Sequence, residues 1–366
     1  MASVPNISCV DLFCGAGGLT CGLEQAGIDV RAGIDSSPMC EHPYAANNNA
    51  PFHLASIEKV FARDVIDFWS SGEVSLLAAC APCQPFSTHT QKRKTLHNLK
   101  TPLLNHIRRL IRETRPDIVV MENVPPLLRV RAFVEFISTI QNSGYSIAHG
   151  VLNTADYGVP QSRKRLILLA SRLGKIHLPP PEIPLRPKTV RDAIGGLPPI
   201  PAGGRCDLDQ LHQASELSPV NLERIRASIP GKSWRDWPPH LVNDCHSNQD
   251  RISWRNVYGR MGWHLPAPTI TTQFYTYGCG RFGHPEQDRA LSLREGALLQ
   301  SFPAGYEFVP PETTRSKRDI ARLIGNAVPP ALARRLGRRS SSRSAHDSTQ
   351  VPKIPGHRLS GTIWNH

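Results

Sequence analysis

No stretch of this chain approaches the roughly 18 to 20 consecutive apolar residues that span a bilayer. Its first residues, Met1-Ala2-Ser3-Val4-Pro5-Asn6, lack the charged-then-apolar pattern of a secretory signal. A membrane or exported protein is therefore not expected, and a cytoplasmic one is. Regularly spaced cysteines are also missing. The nine present are an odd number, scattered along the chain, which argues against a disulfide framework and fits a reducing compartment. The single C-x-x-C pair, Cys80 and Cys83, has no second Cys or His pair at finger spacing, so zinc is disfavoured and no metal is expected. There is no internal repeat. Acidic residues are the scarcer charge: 30 Asp and Glu stand against 43 Lys and Arg, a formal net charge of +13. That imbalance points to a polyanionic partner.

What is there describes a soluble globular protein, with 366 residues, 40% hydrophobic and 20% charged, and room for two domains. The chain is organised around Ala81-Pro82-Cys83-Gln84-Pro85-Phe86-Ser87, entered from the apolar run Ser75-Leu76-Leu77-Ala78-Ala79-Cys80. A short apolar run stopped by proline suits a buried strand that delivers a loop at its carboxyl end, the edge where open α/β sheets bind ligands. Cys83 is thus a candidate nucleophile. Free cysteine is more often a small buried apolar residue, and a C-x-x-C pair can be a redox motif. At this point the residues leave all three readings open.

Ile7 to Leu12 reads as the first buried strand and runs into Phe13-Cys14-Gly15-Ala16-Gly17-Gly18. Glycines there let backbone approach a ligand before a helix begins near Leu19. The next strand, Asp29 to Ile34, ends at Asp35, whose carboxylate can accept both ribose hydroxyls of a nucleoside. The loop is neither G-x-G-x-x-G nor a phosphate-binding loop, which favours a cofactor without pyrophosphate over NAD. Leu103 to Thr114 carries a helical apolar stripe with Arg108, Arg109 and Arg112 largely off it. Asp117 to Met121 is then a strand that delivers Glu122-Asn123-Val124 to the same sheet edge as Cys83. A carboxylate there is costly unless it has a partner or a task.

A strand pair is expected at Ser146 to Asn153 and Arg165 to Ser171. Just before the second strand, Arg163 and Arg165 alternate on one side of an extended segment as two forked donors suited to phosphate or a base carbonyl. From Leu178 the composition turns to proline and glycine, and residues 205–285 are irregular and rich in Trp, His, Arg and Asn. That segment reads as a small second domain whose polar and aromatic groups suit base edges and backbone. Helices are expected from about Leu291, over Ser316 to Ile324, and briefly to Leu336, with a polar, disordered tail after them.

At this point the residues resemble the DNA (cytosine-5)-methyltransferases over roughly residues 7 to 336. Asp11-Leu12-Phe13-Cys14-Gly15-Ala16-Gly17-Gly18 is similar to that family's first S-adenosylmethionine motif. Pro82-Cys83-Gln84, Glu122-Asn123-Val124, Gln161-x-Arg163-x-Arg165 and Gly325-Asn326-Ala327-Val328-Pro329 resemble its catalytic, ENV, Q-x-R-x-R and final motifs, in the family's order. Arg260 with Pro268-Thr269-Ile270 resembles the motif that closes the target-recognition region, and Arg294-Glu295 with Gln300-Ser301-Phe302-Pro303 fits the approach to the last motif. Such an ordered set removes the redox reading of Cys80 and Cys83. Ser56, Ser75 and Lys100 depart from the family's pattern.

The resemblance implies an α/β fold, with a Rossmann-like S-adenosylmethionine-dependent methyltransferase sheet and a smaller, irregular target-recognition domain. A catalytic and cofactor-binding part over 1–177 would be followed by a hinge and target-recognition segment over 178–285. The chain would return to the catalytic domain over 286–337 and end in a basic tail over 338–366. It implies Cys83, Glu122, Arg163 and Arg165 as catalytic residues. Cysteine would attack cytosine C6, Glu122 would bond N3 and the exocyclic amine, Arg165 would hold O2, and Arg163 would support the site or a phosphate. S-adenosylmethionine would be held by Asp11, Phe13, Gly15, Gly17, Gly18, Asp35, Pro82 and Asn326, with Phe13 on adenine and Asp35 on ribose. The basic segment Thr88 to Asn98 would close over a flipped base. The implied partner is duplex DNA, read by a monomer paired in the cell with a restriction endonuclease. Methylation of RNA and a catalytically silent DNA-binding protein are the competing readings, and intact Cys83, Glu122 and Arg165 argue against the second. A Cys83→Ala variant is expected to lose methyl transfer while S-adenosylmethionine binding stays near wild type. Transfer by that variant, measured with labelled cosubstrate, would remove Cys83 as the nucleophile.

Overall fold

The computed structural model describes residues 6–82, 102–181, 186–247, 257–310 and 313–341. In chain order the first part holds β1 (Ile7–Leu12), α1 (Gly18–Glu24), β2 (Asp29–Asp35), α2 (Glu41–Ala45), β3 (Phe52–Leu54), α3 (Ala62–Ile66) and β4 (Val74–Ala79). It continues with α4 (Pro102–Thr114), β5 (Ile118–Asn123), α5 (Arg131–Asn142), β6 (Ser146–Asn153) and β7 (Lys164–Ser171). The remainder holds α6 (Val190–Ile194), β8 (Arg205–Cys206), β9 (Asp209–Gln213), α7 (Pro219–Ala227), α8 (Asp244–Ser247), α9 (Leu293–Leu299), α10 (Lys317–Asn326) and α11 (Pro330–Ser341).

β1 to β7 form one sheet in the order β3-β2-β1-β4-β5-β7-β6. The pairings from β3 through β5 are parallel, and β7 runs antiparallel to both β5 and β6. Alternation along the buried strands divides the core. Val10, Leu12, Leu77, Ala79, Val119 and Met121 face α4 and α5, whereas Cys9, Leu76, Ala78, Ile118 and Val120 face α1 and α11. A parallel sheet covered on both faces demands such unbroken apolar strands. Because β1 pairs with β2 on one side and β4 on the other, the strand order reverses between β1 and β4, and a crevice opens there at their carboxyl ends.

The rest of the chain packs on the sheet through two further cores. One joins Val190 and Ile194 of α6, Leu211 of β9, Met261, Ile270 and Phe274 to α9, Phe302 and α10. The other is a small aromatic cluster with Ile225, Trp237, Leu241 and Tyr277. The first of these runs without a break across residue 285, so residues on both sides of that point share one packing unit. The last helix differs from the expected short one ending near Leu336. α11 runs to Ser341 because Leu336, Gly337 and Ser340 are still buried, with Gly337 closely packed on Leu23, Ala26 and Ile28. Among the described residues no helix is long and apolar enough to cross a membrane.

The core that contains α9 is fastened by buried charge. Arg289, with no exposed surface, donates from both terminal nitrogens to Glu295 at 2.8 and 2.7 Å and from Nε to the Ile200 carbonyl at 3.0 Å. Burial alone would raise the Glu295 carboxyl, but the Arg289 hydrogen bonds and charge outweigh it and hold it below its usual range. Arg289→Met is expected to destabilise the fold by about 3–5 kcal/mol, because it leaves that carboxylate buried without its cation. Arg131→Met, which removes an exposed pair with Glu135, is expected to cost about 0.5 kcal/mol or less. Denaturant unfolding of both variants checks the contrast, and equal losses would contradict it.

Candidate active site

The crevice is a cavity of about 660 Å³ whose wall includes Phe13, Gly15, Asp35, Pro82, Glu122, Arg163, Arg165 and Asn326. Its volume lies in the usual range for small-molecule sites. One side is built by the turn after β1. Asp35 at the end of β2 accepts the Gly15 N–H on Oδ2 at 3.0 Å and the Ser37 N–H on Oδ1 at 2.9 Å. Each oxygen keeps a lone pair for a ligand hydroxyl. Gly15 is left-handed, and a Cβ there would point into open space. Phe13 also has a positive φ of 60°, a conformation rare for a bulky residue, and its ring forms part of the cavity wall.

Gly17 and Gly18 do a different task from the one expected. A Cβ on Gly17 would strike the Asn48 amide and the Tyr306 hydroxyl, and one on Gly18 would strike the Val328 carbonyl. Their bareness lets the loop seat against the protein, where Tyr306 donates to the Ala16 carbonyl at 2.5 Å. Asp11 is not on the cavity wall either. It lies wholly buried within β1, and its Oδ2 accepts the Thr20 hydroxyl at 2.8 Å. Thr20 in turn takes the Tyr44 hydroxyl at 3.0 Å. Asp11 Oδ1 has no hydrogen-bond partner among the described residues. Asp11 therefore supports the loop from beneath and lies off the cavity wall.

The other side carries the charge. Glu122, at the end of β5, is buried, and its Oε1 meets Arg165 Nε at 2.8 Å. Its Oε2 accepts the Cys80 thiol at 3.1 Å. The next residue, Asn123, donates to the Ala81 carbonyl at 3.3 Å and so ties the entrance of the 81–87 segment to β5. Cys83 and the segment Thr88 to Asn98 lie outside the described residues, and Pro82 is the last one described before them.

Arg163 corrects the expectation of two matched donors. It precedes β7, is buried, and donates to the carbonyls of Ile270 at 2.7 Å and Gly325 at 3.0 Å. Gln161 beside it accepts the Ile270 N–H at 2.7 Å and donates to Gln300, which donates to the Ile324 carbonyl. The start of β7, the 268–270 segment and the end of α10 are thereby one locked unit, which places Asn326 on the cavity wall. Arg260 is likewise structural, donating to the carbonyls of Ile225, His284 and Gln287 and to Asp288. Tyr306, Thr20 and Tyr44 are site supports that sequence reasoning passed over, since nothing local marks an aromatic residue 290 positions from its partner. Cys80 carries a signal, its place at the end of a buried strand, but nothing local in the sequence names Glu122 as its partner.

Comparison with known proteins shows the family. Residues 7–342 match the family described as C-5 cytosine-specific DNA methylase. The Type II methylase M.HgiDII of Herpetosiphon aurantiacus is 47% identical over 329 residues, covering 89% of this chain and 92% of that protein. The Type II methyltransferase M.PspPI of Psychrobacter sp. is 32% identical over 91% of this chain and 78% of its own length. Among solved structures, a candidate DNA modification methyltransferase encoded within an E. coli prophage superposes with a TM-score of 0.67 at 21% identity, over 92% of this chain and 98% of that one.

Burial, partly offset by the Thr20 hydrogen bond and reinforced by the Asp35 charge, pushes the Asp11 carboxyl from 3.8 up to about 7. The folded protein thus keeps a proton that the unfolded chain has lost. Its contribution to stability is full below about pH 4 and falls as pH rises to about 7, by on the order of 2–4 kcal/mol. Asp11→Asn is expected to remove this slope. Urea unfolding of both proteins from pH 5 to pH 8 checks it, and parallel curves would contradict it.

Proposed function

The chain belongs to the C-5 cytosine-specific DNA methylases, and on that premise we propose how its residues divide the work of methylating C5 of cytosine in DNA. The observation that carries the reading is the buried Glu122–Arg165 pair, set in the same cavity as the Asp35 and Gly15 cradle. A methyltransferase of this family takes its methyl group from S-adenosylmethionine, whose sulfonium makes that group electrophilic when bound. The cradle fits it. Asp35 has lone pairs for ribose hydroxyls, Gly15 leaves the loop face bare, and Phe13, Pro82 and Asn326 complete the wall.

Cytosine C5 is too weak a nucleophile to take a methyl group unaided. Cys83, as thiolate, forms a bond to C6 and converts the ring to an enamine whose C5 is nucleophilic. Glu122 accepts a hydrogen bond from the exocyclic amine and shares a proton with N3, which neutralises the charge that attack at C6 pushes onto the ring. Arg165 holds Glu122 and takes the base O2. After C5 is methylated, a base removes its proton, the C5–C6 double bond re-forms and Cys83 leaves. The reacting atoms are out of reach in a stacked duplex, so the cytosine is flipped out at a cost of a few kcal/mol.

Residues 178–285 serve target recognition within a monomer, while 1–177 and 286–337 carry the cosubstrate and the chemistry. The similarity to Type II methylases supports a cytoplasmic modification enzyme that protects a short duplex sequence from a partner restriction endonuclease. Glu122→Gln is expected to lower kcat by about 10²–10³-fold, as for other preorganised groups that meet developing charge, with duplex DNA binding reduced far less. Steady-state methylation and fluorescence anisotropy would be measured together. Equal losses in both would make Glu122 a residue that only positions DNA.

A further inference from the structure

We propose that Cys80 is a positioning residue for the Glu122 carboxylate. β4 and β5 pair in parallel with Ala79 opposite Met121, so the next residues, Cys80 and Glu122, leave the sheet edge side by side. The Cys80 N–H extends the ladder by one more bond, to the Leu12 carbonyl at 3.2 Å. The backbone of Cys80 is therefore fixed by the sheet, and its thiol meets Glu122 Oε2 at 3.1 Å. On the far side of β5, Arg165 of β7 meets Oε1 at 2.8 Å. The carboxylate is held from both flanking strands, and two donors on separate oxygens fix its plane where one would leave it free to turn.

The two donors differ in strength. A guanidinium is a strong, charged donor, and a thiol is a weak one. When a base reaches Glu122, the arginine contact stays and the thiol contact is the one that yields, so Cys80 aligns the carboxylate before the base arrives and releases it at little cost. This rests on the reading of Glu122 as the group that contacts the base, and a single set of variants separates the two.

Alanine and serine are nearly the same size, so comparing Cys80→Ala with Cys80→Ser isolates the donor from the packing. Cys80→Ala is expected to lower kcat/KM for DNA methylation about tenfold, the worth of one aligned hydrogen bond, with kcat nearer wild type because that contact has yielded once the base is bound. The dissociation constant of S-adenosylhomocysteine, measured by calorimetry, should hold near wild type. Cys80→Ser should recover most of the loss. If the two variants behave alike, whether both active or both impaired, the Cys80 proposal fails. Glu122→Gln is measured beside them. A normal kcat for that variant would instead overturn the base-contact reading, whereas a slow Glu122→Gln with matching Cys80 variants would sink the Cys80 role alone.

Discussion

A carboxylate buried at the end of a central strand has to be compensated, and the antiparallel insertion of β7 beside β5 is what compensates Glu122. The register that sets Glu122 opposite Ile167 brings Arg165, two residues earlier in β7, within 2.8 Å. Without the guanidinium the carboxylate would stand buried without a charged donor. With it, an oriented carboxylate stands on the cavity wall. The seven-strand order is therefore part of the chemistry. Parallel strands alone would supply the nucleoside cradle but not this pair.

The two halves of the site are coupled by buried polar groups. Gln161, Arg163 and Gln300 join the start of β7 to Ile270 and to the last turn of α10, and Asn326 follows directly from that turn. On the cradle side, Tyr306 and Val328 close on the loop at Ala16 and Gly18. β7 and the loop after β1 thus rest on one continuous frame drawn from distant parts of the chain.

Local patterns were legible in the sequence, and long-range partners were not. The buried strands, the helix at Leu103 to Thr114 and the acid at Asp35 follow from apolar runs, turn residues and a 3.6-residue stripe, each confined to about a dozen residues. Arg163 was only half legible: alternation puts it on the cavity wall with Arg165, but its terminal nitrogens are taken by carbonyls far along the chain. Asp11 misled for a related reason. It belongs to a motif that ends in a ligand-facing loop, but it lies within the strand, where its side chain meets Thr20 of α1 instead of the cavity. The extra turns of α11 were hidden because serine and arginine at its end read as tail, and only docking on α1 makes them helix.

The central claim is that the cavity presents a flipped cytosine of duplex DNA to a bound methyl donor. Tritium transfer from labelled S-adenosylmethionine to unmethylated duplex DNA, followed by bisulfite sequencing of the product, tests it most directly. The account predicts label at C5 of one cytosine within a single short motif. No label on duplex DNA by a protein shown to bind the cosubstrate, or label on RNA in its place, would contradict it.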